Sequence, residues 1–195
     1  MKAPRILLIT AWILSLQLYA VQAQVLSLKN YKLTINGTSS LHDWESTVDK
    51  VEAKGFFVIS NNKLTDIRDV VVKIPVKAIK STKGKIMDKK TWEAFDHENN
   101  PVITFALKGR QINTEESTIA ATGSLTMAGV TKTIDLELTY KVLPGGELEI
   151  TGSQKLVMSE YKMTPPTAMM GAIKVGDEVV VNISIVISQV TSSTL

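Results

Sequence analysis

Apolar and polar residues alternate through most of this chain. The segment TIDLELTYKV (133–142) has an apolar residue at every second position, and shorter or less regular runs of this kind occur at 31–37, 51–60, 70–79, 102–109, 118–127, 147–158 and 178–188. Strict alternation is typical of a strand with one buried and one solvated face. Eight such runs, separated by Gly, Asn and Pro, predict an all-β protein, either an antiparallel sandwich or a closed barrel.

One segment interrupts the alternation. In KIMDKKTWEAFDHENNP (85–101) the large apolar residues have helix-compatible spacing, and the segment ends in Asn-Asn-Pro, a natural stop signal. We expect one short helix near Asp88–Phe95, packed across one end of the sheet. LPGGE (143–147) and the turn around Gly129 predict hairpins, while Gly55, Gly123 and Gly152 lie inside strand runs and predict bulges or bends.

The first 23 residues have the features of a secretory signal peptide. Lys2 and Arg5 precede an apolar stretch over 6–18, and Val-Gln-Ala follows at 21–23. The apolar stretch is short for a membrane span, which needs about 20 residues. We therefore expect cleavage after Ala23, a single domain over 24–195, and a periplasmic or secreted product.

Charge and cysteine content exclude several classes of function for residues 24–195. Without Lys2 and Arg5, 20 of the 22 Lys and Arg residues remain against 19 Asp and Glu. A nearly neutral domain without a basic tract is a poor candidate for binding nucleic acid, and no second apolar stretch of membrane length follows. The absence of cysteine excludes a thiol nucleophile and a thiolate metal site.

Catalytic motifs are weak in this sequence. Ser40, His42 and Asp43 lie close together in SSLHDWE (39–45), but neighbouring side chains on a strand point to opposite faces. We expect no catalytic residues and no enzyme activity. A His42 or Asp43 side chain beside an internal pocket would favour an enzyme that acts on a lipid or quinone.

Metal ligation has little support either. FDHEN (95–99) places Asp96, His97 and Glu98 in a row, which is more typical of a solvated helix end. Thioethers can bind Cu(I), but neither histidine is near the methionines of the 158–170 region in sequence, namely Met158, Met163, Met169 and Met170. We predict no metal site and no cofactor apart from a bound lipid.

The inward faces of eight strands provide either a packed core or an apolar pocket. A barrel of this size holds one small ligand or is filled by its own side chains, and both produce the same alternation. The residues expected to line the lumen are Phe57, Ile74, Phe105, Leu125, Leu136, Leu138, Val181, Ile183 and Ile185.

Four stretches, in order along residues 30–188, resemble the YceI-like family of exported lipid-binding proteins. They are TSSLHDWESTVDKVEAKGFF, the segment from VKIPVKAIKSTKGK to VITFALKG, ATGSLTMAGVTKTIDLELTY and VGDEVVVNISIVIS. The hairpin GSLTMAGVTK is the most specific of these. One departure is the stretch Ser159–Lys162, where many family members have an Arg-Ser-Asp-Phe-Gly-like sequence.

The resemblance implies a lipocalin-like eight-stranded antiparallel barrel with a helix near one end. It also implies a lumen that binds a long polyisoprenoid or similar amphiphilic lipid, and it supplies no catalytic residues. We expect the helix and the methionine-rich loop YKMTPPTAMMG (161–171) to border the mouth, through Trp92, Phe95, Met163, Met169 and Met170. The expected function is that of an exported carrier or sequestering protein. A non-catalytic interaction module with a solid core is the main alternative. The sequence is also compatible with a homodimer.

Overall fold

The computed structural model describes residues 24–190, so the predicted signal peptide lies outside the described residues. Most of these residues lie in strands. The elements are β1 (Gln24–Ser39), β2 (Trp44–Val48), β3 (Glu52–Ser60), β4 (Lys63–Pro75), β5 (Ile79–Ser81), α1 (Lys85–Ala94), β6 (Val102–Asn113), β7 (Thr118–Met127), β8 (Val130–Val142), β9 (Leu148–Val157), β10 (Thr167–Ala168) and β11 (Ile173–Val190). No helix within 24–190 has the length and apolar character needed to cross a membrane.

Eight antiparallel strands form a ring, which confirms the predicted fold. Their order around it is β1, β11, β9, β8, β7, β6, β4 and β3. The ring closes because β1 pairs with β11 along most of its length and with β3 at Gln24 and Val25. These eight strands correspond to the eight alternating runs. The short strands β2, β5 and β10 were not expected; β2 and β5 extend the sheet beside β1, and β10 pairs with the start of β11.

Helix α1 begins three residues earlier than predicted and ends one residue earlier. Gly84 precedes it with φ 94°, a left-handed conformation that glycine adopts without strain. Inside the helix, the Asp88 carboxylate accepts a hydrogen bond of 2.6 Å from the backbone N–H of Ser81. Trp92 Nε1 donates to the carbonyl of Ile79 at 3.0 Å. Both bonds attach the helix to β5, at one end of the barrel.

The predicted hairpins are present. Ala128 and Gly129 form the two-residue turn between β7 and β8 with φ 48° and 76°, as a type I′ turn requires. The segment LPGGE connects β8 to β9. Among the three strand glycines, Gly55 coincides with a register shift between Lys54 and Phe56 and is therefore part of a bulge. Gly123 pairs with Leu107 at the register shift between Leu107 and Gly109, so it lies opposite a bulge on β6, whereas Gly152 lies in regular pairing without a bulge.

The two ends of the barrel differ. The turns β3–β4, β6–β7 and β8–β9 lie at one end, which we call the closed end; the helix, the β1–β2 turn and the connection from β9 to β11 lie at the other, the open end. Phe57, Leu64, Leu148 and Ile187 have no exposed surface and pack together at the closed end. A second cluster, which includes Val76, Ile79 and Tyr161, lies near the helix. The first group forms a floor beneath the space between the two.

Candidate functional site: an apolar cavity inside the barrel

The barrel encloses an apolar cavity of about 450 Å³. Every strand of the eight-stranded ring contributes lining side chains, and α1 contributes Met87, Thr91 and Ala94. This volume lies in the range of ligand sites, roughly 300–1,000 Å³. The interior therefore combines a packed floor with an unfilled space above it.

Inward-facing aliphatic side chains show directly that the space is unfilled. Leu107, Leu138 and Ile185 point inward, yet each retains partial solvent exposure. Ile119 and Ile150, which pair with Leu138 and Ile185 on the neighbouring strands, are 2% and 4% exposed. Packing inside the barrel is therefore uneven, and some inward-facing side chains keep uncovered apolar surface. Apolar surface of this kind gains free energy when a ligand covers it.

The structure brings most of the predicted lumen residues together. Eight of the nine contact the cavity: Ile74, Phe105, Leu125, Leu136, Leu138, Val181, Ile183 and Ile185. Phe57 instead belongs to the floor, where it is fully buried. Alternation predicts on which face of the strand a residue lies, but not how deep in the barrel. Whether these eight residues bind a ligand stays a prediction.

The five predicted mouth residues have three different environments. Phe95 and Met163 line the cavity and are 8% and 5% exposed. Trp92 packs beside the cavity, with Lys80 Nζ 4.4 Å from its ring centroid. Met169 and Met170 point outward, with 75% and 107% of their surface exposed. The methionine-rich loop therefore does two things: Met163 closes part of the opening, and its tip presents apolar side chains to the outside.

Three inward-facing glycines allow large neighbouring side chains to lie flat on the barrel wall. A Cβ at Gly37 would be 2.3 Å from the Trp44 ring, and one at Gly152 would be 2.5 Å from Leu138 Cδ2. Phe105 covers Gly123 in the same way. Trp44, Phe105 and Leu138 all line the cavity. The missing side chains keep the lumen open, because each large residue occupies space beside the wall and not at the centre.

The polar part of the lining is concentrated at the open end. Ser39 is the last residue of β1, His42 lies in the β1–β2 connection, and Lys83 lies in the turn before α1. The paired residues Ser46 and Ser81 also contact the cavity. His42, Lys83 and Thr167 are the lining residues that are highly exposed within the described chain. The cavity therefore reaches solvent at the helix end, through an edge that carries hydroxyl, imidazole and ammonium groups.

His42 lies beside the opening without forming a catalytic pair with a described hydroxyl. Its Nδ1 lies 2.9 Å from the carbonyl oxygen of Asp43. Ser39 Oγ donates to the backbone carbonyl of His42 at 2.7 Å, not to its imidazole. Nucleophilic catalysis needs a hydroxyl within hydrogen-bond reach of the base. The arrangement instead suits recognition of a polar group at the edge of the cavity.

The carboxyl groups with perturbed pKa values lie outside the cavity lining. Hydrogen bonding to Lys50, Arg110 and Lys63 lowers the pKa values of Glu52, Asp66 and Glu115, respectively. These residues form ion pairs away from the lumen. Perturbed pKa values often mark functional sites, but here they belong to ion pairs of the exterior.

The stretch that departs from the family pattern holds the methionine-rich loop. Ser159 donates from its backbone N–H to Asp177 Oδ1 at 2.8 Å and from its hydroxyl to Oδ2 at 2.5 Å. Glu160 pairs with Lys132 at 2.9 Å. These polar groups fix the start of the connection from β9 to β11. These contacts therefore hold the loop in position, and the polar groups that form them are not part of the polar edge of the cavity.

Many cavity-lining residues lie outside the predicted set, and two groups of them follow from no alternating run. Trp44 lines the cavity although it directly follows the exposed residues Leu41, His42 and Asp43, and Gly37 lies beneath it. The sequence does not predict Ser46, Ser81 and Lys83 as lining residues, because nothing in their local sequence marks them. The placement of Gly37 at an inward position of the 31–37 alternation was the one available signal.

Fold and cavity define a class: antiparallel barrels with an apolar lumen that opens at one end. Within that class, the chain belongs to the YceI-like family, since the family model described as YceI-like domain matches residues 21–187. This match confirms the resemblance inferred from the sequence.

Solved structures with the same fold are distant in sequence. BcnA of Burkholderia cenocepacia is 17% identical, with a TM-score of 0.67 over 82% of this chain and 99% of that one. A polyisoprenoid binding domain from Saccharophagus degradans, implicated in plant cell wall breakdown, is 13% identical, with a TM-score of 0.65 over 86% and 99%. The YCEI protein of Campylobacter jejuni is 19% identical, with a TM-score of 0.57 over 75% and 85%. No curated protein sequence matches this chain.

Proposed function

We propose that this protein is an exported carrier or sequestering protein that holds a polyisoprenoid or similar amphiphilic lipid in the barrel lumen. The observation that carries the proposal is the apolar cavity, closed by a packed floor at one end and bordered by polar side chains at the other. Membership of the YceI-like family supports it, as does the likeness in fold to a polyisoprenoid binding domain.

The asymmetry of the cavity gives the ligand an orientation. The hydrocarbon tail extends toward the floor of Phe57, Leu64, Leu148 and Ile187. The polar group stays at the open end, near Ser39, His42 and Lys83. A buried charged or hydroxyl group without partners would be costly, so the tail-in orientation is the one with the lower free energy.

Burial of the tail supplies the driving force. Each buried CH₂ contributes about 0.8 kcal/mol, so several isoprene units give a gross gain above ~10 kcal/mol. Association and loss of chain freedom offset a large part of that gain. Binding therefore depends on the length of the lipid tail. The hydroxyl, imidazole and ammonium groups at the opening determine which lipid headgroup is preferred.

The two alternative functions, an interaction module and an enzyme, are both less well supported than lipid binding. An interaction module with a solid core does not account for the cavity. An enzyme acting on a lipid or quinone is favoured by one observation, the position of His42 beside the opening. The hydrogen bonds of Ser39 and His42 to backbone atoms do not provide a nucleophile for it, and we retain a binding function without catalysis.

Trp44 provides a direct test of binding. It lines the cavity, whereas Trp92 lies beside it, so a Trp92→Phe variant leaves Trp44 as the single tryptophan within 24–195. Titration of delipidated protein with isoprenoid alcohols of increasing length should shift Trp44 emission and saturate at one ligand per chain. Affinity should rise with length until the lumen is filled. Emission that does not change with any of the alcohols, in protein shown to be folded and empty, would refute lumen binding.

A further inference from the structure

Large apolar side chains are exposed mainly around the open end. Five large hydrophobic residues are highly exposed within the described chain, and four of them lie on segments that border the cavity opening. These are Leu41 (65%), Ile86 (77%), Met169 (75%) and Met170 (107%). Such exposure has no role in folding, because these side chains bury little surface against the rest of the protein. A cluster of this kind is typical of an interaction surface.

Three segments carry these residues: 38–44, 82–91 and 162–174, which together we call the rim. Hydrogen bonds join them into one surface. Ser40 and Lys174 share two bonds, from the Ser40 N–H to the Lys174 carbonyl at 2.9 Å and from the Lys174 N–H to Ser40 Oγ at 3.1 Å. The Thr82 N–H donates to the Glu45 carbonyl at 3.1 Å, directly after the first segment. The exposed apolar residues therefore project from adjoining parts of one edge.

The rim is also strongly basic, although residues 24–195 are nearly neutral. It contains six lysines, Lys83, Lys85, Lys89, Lys90, Lys162 and Lys174, and only two acidic residues, Asp43 and Asp88. Asp88 is buried, accepts a hydrogen bond from the Ser81 N–H and lies 3.9 Å from Lys80 Nζ. Lys83, Lys85, Lys162 and Lys174 are exposed. Positive charge is thus concentrated at the edge that carries the exposed apolar side chains.

We propose that the rim docks the open end of the barrel onto an anionic lipid bilayer. Lysines next to protruding aliphatic side chains match a surface with negative headgroups above a hydrocarbon layer. Met169 and Met170 lie at the tip of the β10–β11 hairpin and Ile86 lies in the first turn of α1, all three highly exposed. In the docked state both elements insert side chains while the lysines contact phosphates. In this orientation the cavity faces the membrane. Docking requires no ligand in the lumen, so the docking proposal and the lipid-binding proposal can be tested independently.

Vesicle co-sedimentation of the purified protein tests the docking surface. The probes are vesicles of equimolar phosphatidylcholine and phosphatidylglycerol, and vesicles of phosphatidylcholine alone. We expect binding to the anionic vesicles, weakened by added salt because exposed charges are screened. Ile86→Ser and Met170→Ser should each reduce the partition constant about tenfold, because each removes an inserted side chain. Lys174→Glu should reduce it at least about fivefold.

Two matched variants serve as controls. Leu143→Ser removes a partly exposed aliphatic side chain from the β8–β9 turn at the closed end, and Lys108→Glu reverses an exposed charge on the wall of the barrel. Both should bind anionic vesicles as the unchanged protein does. Absence of binding at low salt, or equal losses in rim and control variants, would overturn the proposal. So would rim variants that change only the oligomeric state in size-exclusion chromatography, since the apolar patch would then be a protein interface. The Trp44 titration, performed without vesicles, reports separately on the lumen.

Discussion

The ring of Phe105 lies against the backbone of Gly123, so that a Cβ at position 123 would stand 2.3 Å from Phe105 Cε2 and Cζ. It would also lie 2.8 Å from the carbonyl oxygen of Ala106. The two residues lie on the paired strands β6 and β7, both facing inward. Because glycine leaves this space free, the aromatic ring rests along the wall of the barrel and the centre of the lumen stays open.

Gly123→Ala should therefore narrow the lumen and strain the sheet. The methyl group forces the Phe105 ring toward the centre or displaces the backbone near Ala106, and overpacking of this kind costs about 1–3 kcal/mol. We expect a lower free energy of unfolding in urea and a weaker affinity for long isoprenoid alcohols in the Trp44 titration. The loss of affinity should grow with tail length, because the longer tails must pass the displaced ring.

Gly109→Ala is the matched control on strand β6. The nearest atom to a Cβ there is Thr122 Cβ, at an ordinary contact distance of 3.8 Å. We expect a change in unfolding free energy within about 0.5 kcal/mol and no change in affinity. Equal effects of the two substitutions would contradict the role assigned to Gly123.

Tyr161 provides a test based on an unpaired hydroxyl. The residue is 1% exposed, and its hydroxyl has no hydrogen-bond partner within the described chain. Because a buried hydroxyl without a partner costs about 1–3 kcal/mol, Tyr161→Phe should leave stability unchanged or raise it in urea unfolding at neutral pH. Tyr31→Phe is the control: its hydroxyl donates to the Asp49 carbonyl at 2.7 Å, so this variant should lose about 1 kcal/mol. A larger loss for Tyr161→Phe than for Tyr31→Phe would contradict the account.

The same tyrosine predicts a pH dependence. Burial, with a smaller contribution from the negative charge of Glu160, raises the pKa of Tyr161 above its ordinary value. In the unfolded chain the phenol ionises near pH ~10. Above that pH the unfolded state loses the proton before the folded state does, so the free energy of unfolding falls as pH rises toward the pKa of the folded state. Urea unfolding at several pH values from neutral to above ~10 should show a shallower fall for Tyr161→Phe. Identical slopes for both proteins would contradict the assignment of this effect to Tyr161.

Asp88 should hold the helix against the barrel. Its carboxylate accepts a 2.6 Å hydrogen bond from the Ser81 N–H inside a nearly buried site. Asp88→Ala removes this acceptor and should destabilise the protein by about 1–3 kcal/mol. Glu93→Ala, on the exposed side of the same helix and 3.8 Å from Lys89, should cost about 0.5 kcal/mol or less. Similar values for both variants in urea unfolding would show that Asp88 does not anchor α1.

His42→Ala separates recognition from catalysis. The imidazole borders the opening, but tail burial supplies the driving force, so uncharged alcohols should bind this variant about as well as the unchanged protein. A lipid with an anionic headgroup should bind this variant about fivefold more weakly than the unchanged protein, because the variant lacks the imidazole N–H that can donate a hydrogen bond to the headgroup. Recovery of a chemically altered lipid from the unchanged protein, and of unaltered lipid from His42→Ala, would instead establish an enzyme.

The fold was predictable because its signal is local. Each of the eight ring strands carries its own alternation, and two-residue turns such as Ala128–Gly129 have a recognisable composition. The change from alternation to helix-compatible spacing predicts helix α1. Its first turn, Lys85 to Met87, is not predicted, because no residue with a capping side chain directly precedes it. The bulge beside Gly123 lies on the partner strand β6, and Gly152 shows no register shift. Neither outcome could be predicted, because the register between two strands is not visible within one strand.

The site was predictable only in part for the same reason. Inward residues such as Leu136 and Ile183 follow directly from alternation. Depth along the barrel does not, so Phe57 was expected in the lumen and lies in the floor. The polar edge of the cavity, with Ser46, Ser81 and Lys83, is assembled from two segments, one in β2 and one at the end of β5, that are far apart in sequence. Nothing in either of them indicates that they meet.

The central claim is that the lumen holds a lipid in the protein as it occurs naturally. Organic extraction of protein purified from its native source, followed by mass spectrometry of the extract and quantification of the protein, measures this directly. The account predicts about one long-chain isoprenoid or comparable amphiphile per chain, in amounts reduced in a Gly123→Ala variant expressed in the same cells. Protein that is folded and yields no lipid, both from the native source and after incubation with membranes of that source, would contradict it.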